Sequence, residues 1–337
     1  MKYFLQSFTV SVLLFASLEI TNAQGTSGFA VVKTFHIASN GGWDYLAAGP
    51  ENNLLYVSHG GQVNILNQET GDSVGVIPGT TGVHGIAFAA ALSKGYTSNG
   101  RLNNVTVFDL NTNQMITQVE TGQNPDAIMY DDFSKKIITC NGKSKNLSVI
   151  DPTMDKVIAT ISVSGKPETA VSDGEGKIFV NIEDKNQIDV IDISTNKMIA
   201  SWSIAPADGP TGLAIDRKTK RLFAGCDKLL VVVNAESGKI VDKITIGDGC
   251  DGVGFDSKLK YIFASCGEGK LSIIQEISAD KFKLIDNVTT KRSARTIAVD
   301  ETKNEVYLPA ADTQPGAAGE RPKMIPGTFQ ILVVKRK

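Results

Sequence analysis

The stretch NPDAIMYDDFSKKIITCNG, residues 124–142, contains one copy of a pattern that recurs along the chain. A polar residue is followed by a short apolar run with small side chains, then a polar turn, then a second apolar run. The same order is found in KPETAVSDGEGKIFVNIED at 166–184, GPTGLAIDRKTKRLFAGCD at 209–227 and CDGVGFDSKLKYIFASCGE at 250–268. Two alternating apolar segments separate successive copies, so each repeat contains four short predicted strands.

The copies align on one position, which here is called the register position. It is occupied by Asp44, His84, Asp126, Glu168, Thr211, Asp251 and Arg295, at intervals of 40, 42, 42, 43, 40 and 44 residues. Repeats of four short strands at this spacing are typical of β-propeller blades. We therefore predict an all-β, seven-bladed β-propeller whose blades are four-stranded and antiparallel.

The two ends of the repeat array indicate how the ring closes. The seventh repeat ends with FQILVV at 329–334 and has no fourth strand, whereas FAVVKTFHI at 29–37 reads like an outer strand of another repeat. We predict that this N-terminal strand pairs with 329–334 and completes the last blade. The alternative, a linear β-solenoid, would leave that strand without a partner.

The second strands carry a recognisable motif. The segments LYVS at 55–58, IITCN at 137–141 and IFVN at 178–181 look like the YVTN motif. With PDA at 125–127 and PETA at 167–170, the chain resembles the YVTN-repeat, YncE-like family of secreted β-propellers over residues 28–337. The resemblance implies the fold but no activity, because the repeated residues are mainly structural. GYTS at 95–98 and VYLP at 306–309 depart from the motif.

The N-terminal segment has the pattern of a signal peptide. Lys2 precedes an apolar run at 8–18, and Thr21 and Ala23 fit the small residues of a cleavage site. The run is too short to span a membrane, and no later segment is a transmembrane anchor. We predict a signal peptide at 1–23, a single propeller domain at 24–337 and a secreted or periplasmic location.

The charge of the chain argues against nucleic-acid binding. The 337 residues carry a formal charge of −2, and removal of Lys2 and Glu19 with the signal peptide does not change it. A chain of this charge lacks the general attraction to phosphate of most nucleic-acid binders.

The predicted strand directions place a group of polar residues at one face. In an antiparallel blade the first strand begins, and the second ends, at the same mouth of the channel. The long insertion at 309–327 in the last repeat belongs to that mouth too. We predict that a ligand contacts Trp43, Asp44, His59, His84, Asp126, Glu168, Asp251, Arg295 and Arg321. The alternative is that these groups only cap and solvate the strand ends.

Metal and disulfide chemistry have weaker support in the sequence. His59 and His84 are the candidate metal ligands, with Asp44 and Asp126 close in register, but there is no HxxxH or CxxC spacing. The sequence does not identify a cofactor. Cys250 begins the first strand of the sixth repeat and Cys266 ends the second strand. Antiparallel pairing would make them neighbours, so they are a candidate disulfide pair.

Three functions fit these observations. We favour a monomeric, non-catalytic binding scaffold for a small molecule, peptide or protein, since no P-loop or nucleophile elbow is present. The alternative, by analogy of fold, is a periplasmic enzyme or redox-cofactor accessory protein, similar to lactonase-like or quinone- or haem-linked propellers. DNA binding is the least favoured because of the charge.

Overall fold

The structure is a computed structural model that describes residues 27–39, 41–50, 53–315 and 323–337. Nearly all of its regular structure is β-sheet, with two single-turn 3₁₀ helices at Ala90–Leu92 and Glu183–Lys185. Among the described residues, no helix has the length and apolar character needed to cross a bilayer. The predicted signal peptide and Arg321 lie outside the described residues.

Seven four-stranded antiparallel sheets form a ring, which confirms the predicted propeller. The first strand, β1, spans Phe29–His36. Blade 1 contains β2 (Trp43–Ala48), β3 (Leu54–His59), β4 (Gln62–Asn67) and β5 (Ser73–Ile77). Blade 2 contains β6 (Val83–Ala89), β7 (Lys94–Asn99), β8 (Asn104–Asp109) and β9 (Met115–Glu120). Blade 3 contains β10 (Pro125–Asp131), β11 (Lys136–Asn141), β12 (Asn146–Asp151) and β13 (Lys156–Ser162).

The remaining blades repeat this order. Blade 4 contains β14 (Pro167–Ser172), β15 (Lys177–Ile182), β16 (Gln187–Asp192) and β17 (Lys197–Ser203). Blade 5 contains β18 (Leu213–Asp216), β19 (Arg221–Cys226), β20 (Leu229–Asn234) and β21 (Ile240–Thr245). Blade 6 contains β22 (Cys250–Asp256), β23 (Tyr261–Cys266), β24 (Lys270–Ser278) and β25 (Lys281–Thr289). Blade 7 begins with β26 (Ala298–Asp300) and β27 (Glu305–Ala310), and a small hairpin of β28 (Thr313–Gln314) and β29 (Lys323–Met324) precedes β30 (Gln330–Arg336).

The closure of the ring is as predicted. The order of strands in blade 7 is β1-β30-β27-β26, and β1 runs antiparallel to β30 from Phe29 opposite Arg336 to His36 opposite Gln330. The N-terminal strand therefore supplies the outer strand of the last blade, and the hydrogen bonds between the two ends of the chain fasten the ring.

Small residues let the innermost strands crowd around the axis. A Cβ atom on Gly85 would lie 2.8 Å from Cγ2 of Ile128 in the next blade. A Cβ atom on Gly212 would lie 2.5 Å from the backbone nitrogen of Val253. Side chains at these two positions would push neighbouring blades apart, which explains why glycine directly follows the register position there.

Bulky residues fill the wider gaps between blades. In six blades the same position of the second strand holds a large aromatic side chain that is no more than 2% exposed: Tyr56, Tyr96, Phe179, Phe223, Phe263 and Tyr307. These rings, packed against branched aliphatic neighbours, form apolar layers between successive sheets. The aromatic residues that the sequence repeats in this strand thus hold the blades together rather than facing the channel.

The four cysteines are buried free thiols in the structure. Cys250 and Cys266 lie opposite each other across β22 and β23, as their positions predicted, but the disulfide considered above is not formed. The Sγ of Cys250 lies 3.7 Å from the carbonyl oxygen of Gly252, and that of Cys266 lies 3.5 Å from the carbonyl oxygen of Ala264.

We predict that replacing Phe35→Ala lowers the free energy of unfolding by about 3–5 kcal/mol, the usual cost of removing a buried phenylalanine. Phe35 is 5% exposed and packs among residues of blades 7 and 1, including Tyr307, Ile331 and Leu55. Urea denaturation followed by circular dichroism measures the change.

The matched control is Val32→Ala on the same strand. Val32 is 38% exposed, so its truncation should change the unfolding free energy by no more than about 0.5 kcal/mol. Equal effects of the two substitutions would contradict the view that the buried face of β1 fastens the ring.

Candidate functional site

The seven register residues lie together at one mouth of the channel, because each stands near the start of the innermost strand of its blade: five are the second residue of that strand, and Thr211 and Arg295 precede it by two and three residues. We call them the mouth ring: Asp44, His84, Asp126, Glu168, Thr211, Asp251 and Arg295. Six of the seven can carry a charge. Their closeness in space, despite intervals of about 40 residues in the chain, is a direct result of ring closure.

Three neighbouring members of the ring form the mouth cluster, defined as Asp44, His84 and Asp126. The Nδ1 atom of His84 lies 2.6 Å from Oδ2 of Asp44 and 3.7 Å from Oδ1 of Asp126. The side chains are 27%, 13% and 16% exposed for His84, Asp44 and Asp126, so the cluster is largely buried but open to the mouth. A histidine between two carboxylates can accept a proton, hold a cation or orient a ligand.

The surroundings raise the pKa values of two members of the cluster, His84 and Asp126. Burial lowers the pKa of His84, but the hydrogen bond to Asp44 and the charge of Asp126 outweigh it, so the pKa is raised above 6.5. Burial raises the pKa of Asp126 to about 6, against the opposing charge of His84. Groups that titrate near neutral pH at a mouth are candidates for function.

Glu168 extends this arrangement into blade 4. Its side chain is 9% exposed and lies 2.6 Å from the Nζ atom of Lys166, which also pairs with Glu183. Burial raises the pKa of Glu168 to about 8, and the charge of Asp126 adds to the shift while Lys166 opposes it. The two acidic side chains therefore disfavour each other's ionisation.

Arg295 completes the ring from the other side. Its guanidinium forms an ion pair with Asp251 and lies 3.6 Å from Oδ1 of Asp44. The hydroxyl of the neighbouring Thr296 donates to the backbone carbonyl of Asp44 at 2.6 Å. Blade 7 thus holds Asp44 in place through both its side chain and its backbone.

Tyr45 forms part of the floor beneath the ring. The residue after the register position is small in blades 2 to 6, from Gly85 to Gly252, but in blade 1 it is a tyrosine. Its hydroxyl lies 3.5 Å from that of Thr169 in blade 4, so the side chain reaches across the channel. A cavity of about 120 Å³ remains beside it, lined by Gly85, Ala127 and other residues. This departure from the repeat was the signal that could have identified Tyr45 from the sequence.

A larger opening, called here the mouth depression, lies beside the ring between blades 6, 7 and 1. Its volume is about 1170 Å³, and part of its wall is the hairpin formed by β28 and β29. Its lining includes Trp43 and Arg295 from the predicted site, and also Arg292 and Lys323, which the sequence analysis did not select. Arg292 lies in a connecting loop outside the repeated pattern, so the alignment gave no reason to choose it.

Two of the predicted site residues, His59 and Trp43, pack against Phe329. His59 is fully buried, its Nδ1 lies 2.6 Å from the hydroxyl of Ser39, its Nε2 lies 2.9 Å from the carbonyl oxygen of Gly41, and its ring stacks on Phe329. Burial lowers its pKa. Trp43 packs against the same Phe329. The structure therefore brings His84, and not His59, together with Asp44 and Asp126.

We predict that His84 titrates above pH 6.5 in protein from which adventitious metal ions have been removed with a chelator. Asp44→Asn should lower the pKa of His84, because it removes the carboxylate that accepts the hydrogen bond from the imidazole. Because the pKa of His84 is higher in the folded than in the unfolded chain, protonation of His84 adds to the free energy of unfolding. This contribution is fully present below pH 6.5 and is lost as the pH rises through the pKa of His84 in the folded protein. NMR titration of the histidine ring protons measures both values.

The control for this titration is Asp251→Asn, which removes a ring carboxylate paired with Arg295 rather than with His84. It should leave the midpoint of His84 close to that of the wild-type protein. An unchanged midpoint in Asp44→Asn would contradict the proposed cause of the shift.

Comparisons with known proteins add information on the fold. No protein-family profile matches the chain, and no curated protein matches it. Among solved structures it is similar to one titled Kuenenia stuttgartiensis hydrazine synthase, with a TM-score of 0.71 and 15% sequence identity over 81% of this chain and 94% of that chain. At this identity the likeness shows a shared propeller fold and nothing about activity.

Proposed function

We propose that this chain is a secreted, monomeric, non-catalytic binding propeller of the YVTN-repeat kind that recognises a small molecule or peptide at the channel mouth. The observation that carries the proposal is the mouth depression. Its volume of about 1170 Å³ is large enough for a drug-sized ligand or a few residues of a peptide. Its walls are formed by connecting loops of blades 6, 7 and 1 and by the hairpin of β28 and β29.

The charges around the depression favour a ligand with an anionic group. The acidic lining residues already have cationic partners: Asp248 lies 3.3 Å from Nζ of Lys228, and Glu268 lies 2.9 Å from that of Lys270. The side chain of Arg292 is exposed and forms no ion pair with any residue that the structure describes. A guanidinium in this situation can bind a carboxylate or phosphate through two parallel hydrogen bonds.

A second candidate function is supported by the acid groups of the ring. Asp126 and Glu168, with pKa values of about 6 and about 8, and the imidazole of His84 could together exchange protons with a substrate near neutral pH. Hydrolysis of a small cyclic ester, as in lactonase-like propellers, is the reaction class that these groups would serve. The substrate would then lie at the part of the mouth next to these groups, on blades 2 to 4, rather than in the depression between blades 6, 7 and 1.

We predict that Arg292→Glu weakens the binding of anionic ligands about tenfold or more, because it reverses the charge facing the depression. A thermal-shift screen of small carboxylic acids, organic phosphates and acidic peptides measures this as a loss of stabilisation relative to the wild-type protein.

The matched control is Lys218→Glu, which makes the same charge change at an exposed turn between β18 and β19, at the opposite face. It should leave the screen unchanged. The proposed site would be overturned if anionic compounds raised the melting temperatures of the wild-type and Arg292→Glu proteins equally, or if no anionic compound raised that of the wild-type protein. Turnover of a lactone that disappears in Asp126→Asn would favour the enzyme instead.

A further inference from the structure

We propose that the mouth cluster of Asp44, His84 and Asp126 binds one first-row transition-metal dication, for which Zn²⁺ is a suitable probe. The site lies on blades 1 to 3, whereas the mouth depression lies between blades 6, 7 and 1. The proposal therefore does not depend on the anionic ligand proposed above.

The geometry of the three side chains is close to that of a metal site. One ligand atom from each residue lies within 4.8 Å of the other two. Tetrahedral Zn²⁺ with bonds of about 2.0–2.1 Å separates its ligand atoms by about 3.3 Å. The distances from Nδ1 of His84, 2.6 Å to Asp44 and 3.7 Å to Asp126, lie on either side of this value. The two carboxylate ligand atoms also lie within 4.8 Å of each other, so small movements of the side chains would bring all three atoms to one ion.

The types of ligand atom favour particular metals. One imidazole nitrogen and two carboxylate oxygens suit Zn²⁺ and its first-row neighbours, whereas Ca²⁺ and Mg²⁺ prefer oxygen ligands alone. Three protein ligands leave a fourth position open toward the mouth, where water or a ligand atom would complete the coordination.

Asp126 supplies an independent reason for a bound cation. Its side chain is only 16% exposed, yet its carboxylate accepts no hydrogen bond from any residue that the structure describes. The closest cationic group is His84, at 3.7 Å. A carboxylate that is largely removed from water and lacks a donor is costly, and direct coordination to a metal ion would satisfy it.

The surroundings also orient the other two ligands. A Cβ atom on Gly100 would lie 2.6 Å from Nε2 of His84, so that side of the ring faces the backbone and Nδ1 faces the carboxylates. Asp44 turns Oδ1 toward Arg295, which leaves Oδ2 directed at His84. Such contacts, made by groups that do not bind the metal, hold ligands in position.

The test is calorimetric titration of the chelator-treated, full-length mature protein with Zn²⁺ at pH 7.5. We expect one bound ion per chain, and at least about tenfold weaker binding in His84→Asn and Asp126→Asn. Circular dichroism checks that each variant is folded. The visible spectrum of bound Co²⁺ should show a tetrahedral site that the same two variants lose.

Two controls separate this site from general surface binding. His36→Asn removes the exposed histidine on β1, and Glu69→Gln removes an exposed carboxylate from the turn between β4 and β5. Both should bind Zn²⁺ as the wild-type protein does, and so should Arg292→Glu. Absence of Zn²⁺ binding to the wild-type protein, equal binding by folded Asp126→Asn, or loss of binding in His36→Asn would overturn the proposal.

Discussion

The antiparallel pairing of β1 with β30 is the interaction on which the rest of this structure depends. Without it the seven sheets would form an open array, and the innermost strands of blades 7 and 1 would have no reason to meet. With it, Arg295 lies 3.6 Å from Asp44, although 250 residues separate them in the chain. Every contact across that seam, including the one that steadies Asp44, follows from the closure.

Closure also concentrates charge. Seven strands converge on one axis, so the side chains that open them must share a small space with limited water. Burial in that space raises the pKa values of Asp126 and Glu168, the charges of neighbouring acidic groups add to the shift, and nearby cationic side chains offset only part of it. The mouth therefore holds several groups whose protonation is sensitive near neutral pH, and this property arises from packing as much as from residue type.

Two adjoining regions of the mouth have different chemistry. The depression presents cationic side chains such as Arg292 beside apolar walls, whereas the cluster around His84 presents carboxylates. Arg295 belongs to both, since it lines the depression and contacts Asp44. The two regions are therefore linked through Arg295.

The sequence alone determined the number of blades and the strand order, because these depend on periodicity and on the antiparallel rule, and it aligned the register residues of the seven repeats. It did not determine which of those residues interact. His59 and His84 were equivalent candidates, yet His59 lies at the end of a second strand, where burial against Phe329 and Ser39 makes it structural. Likewise, the bulk of Tyr45 and the position of Arg292 gained meaning only in three dimensions. Side-chain direction, burial and distances across the axis are set by the packing of all seven blades, and a single repeat does not contain that information.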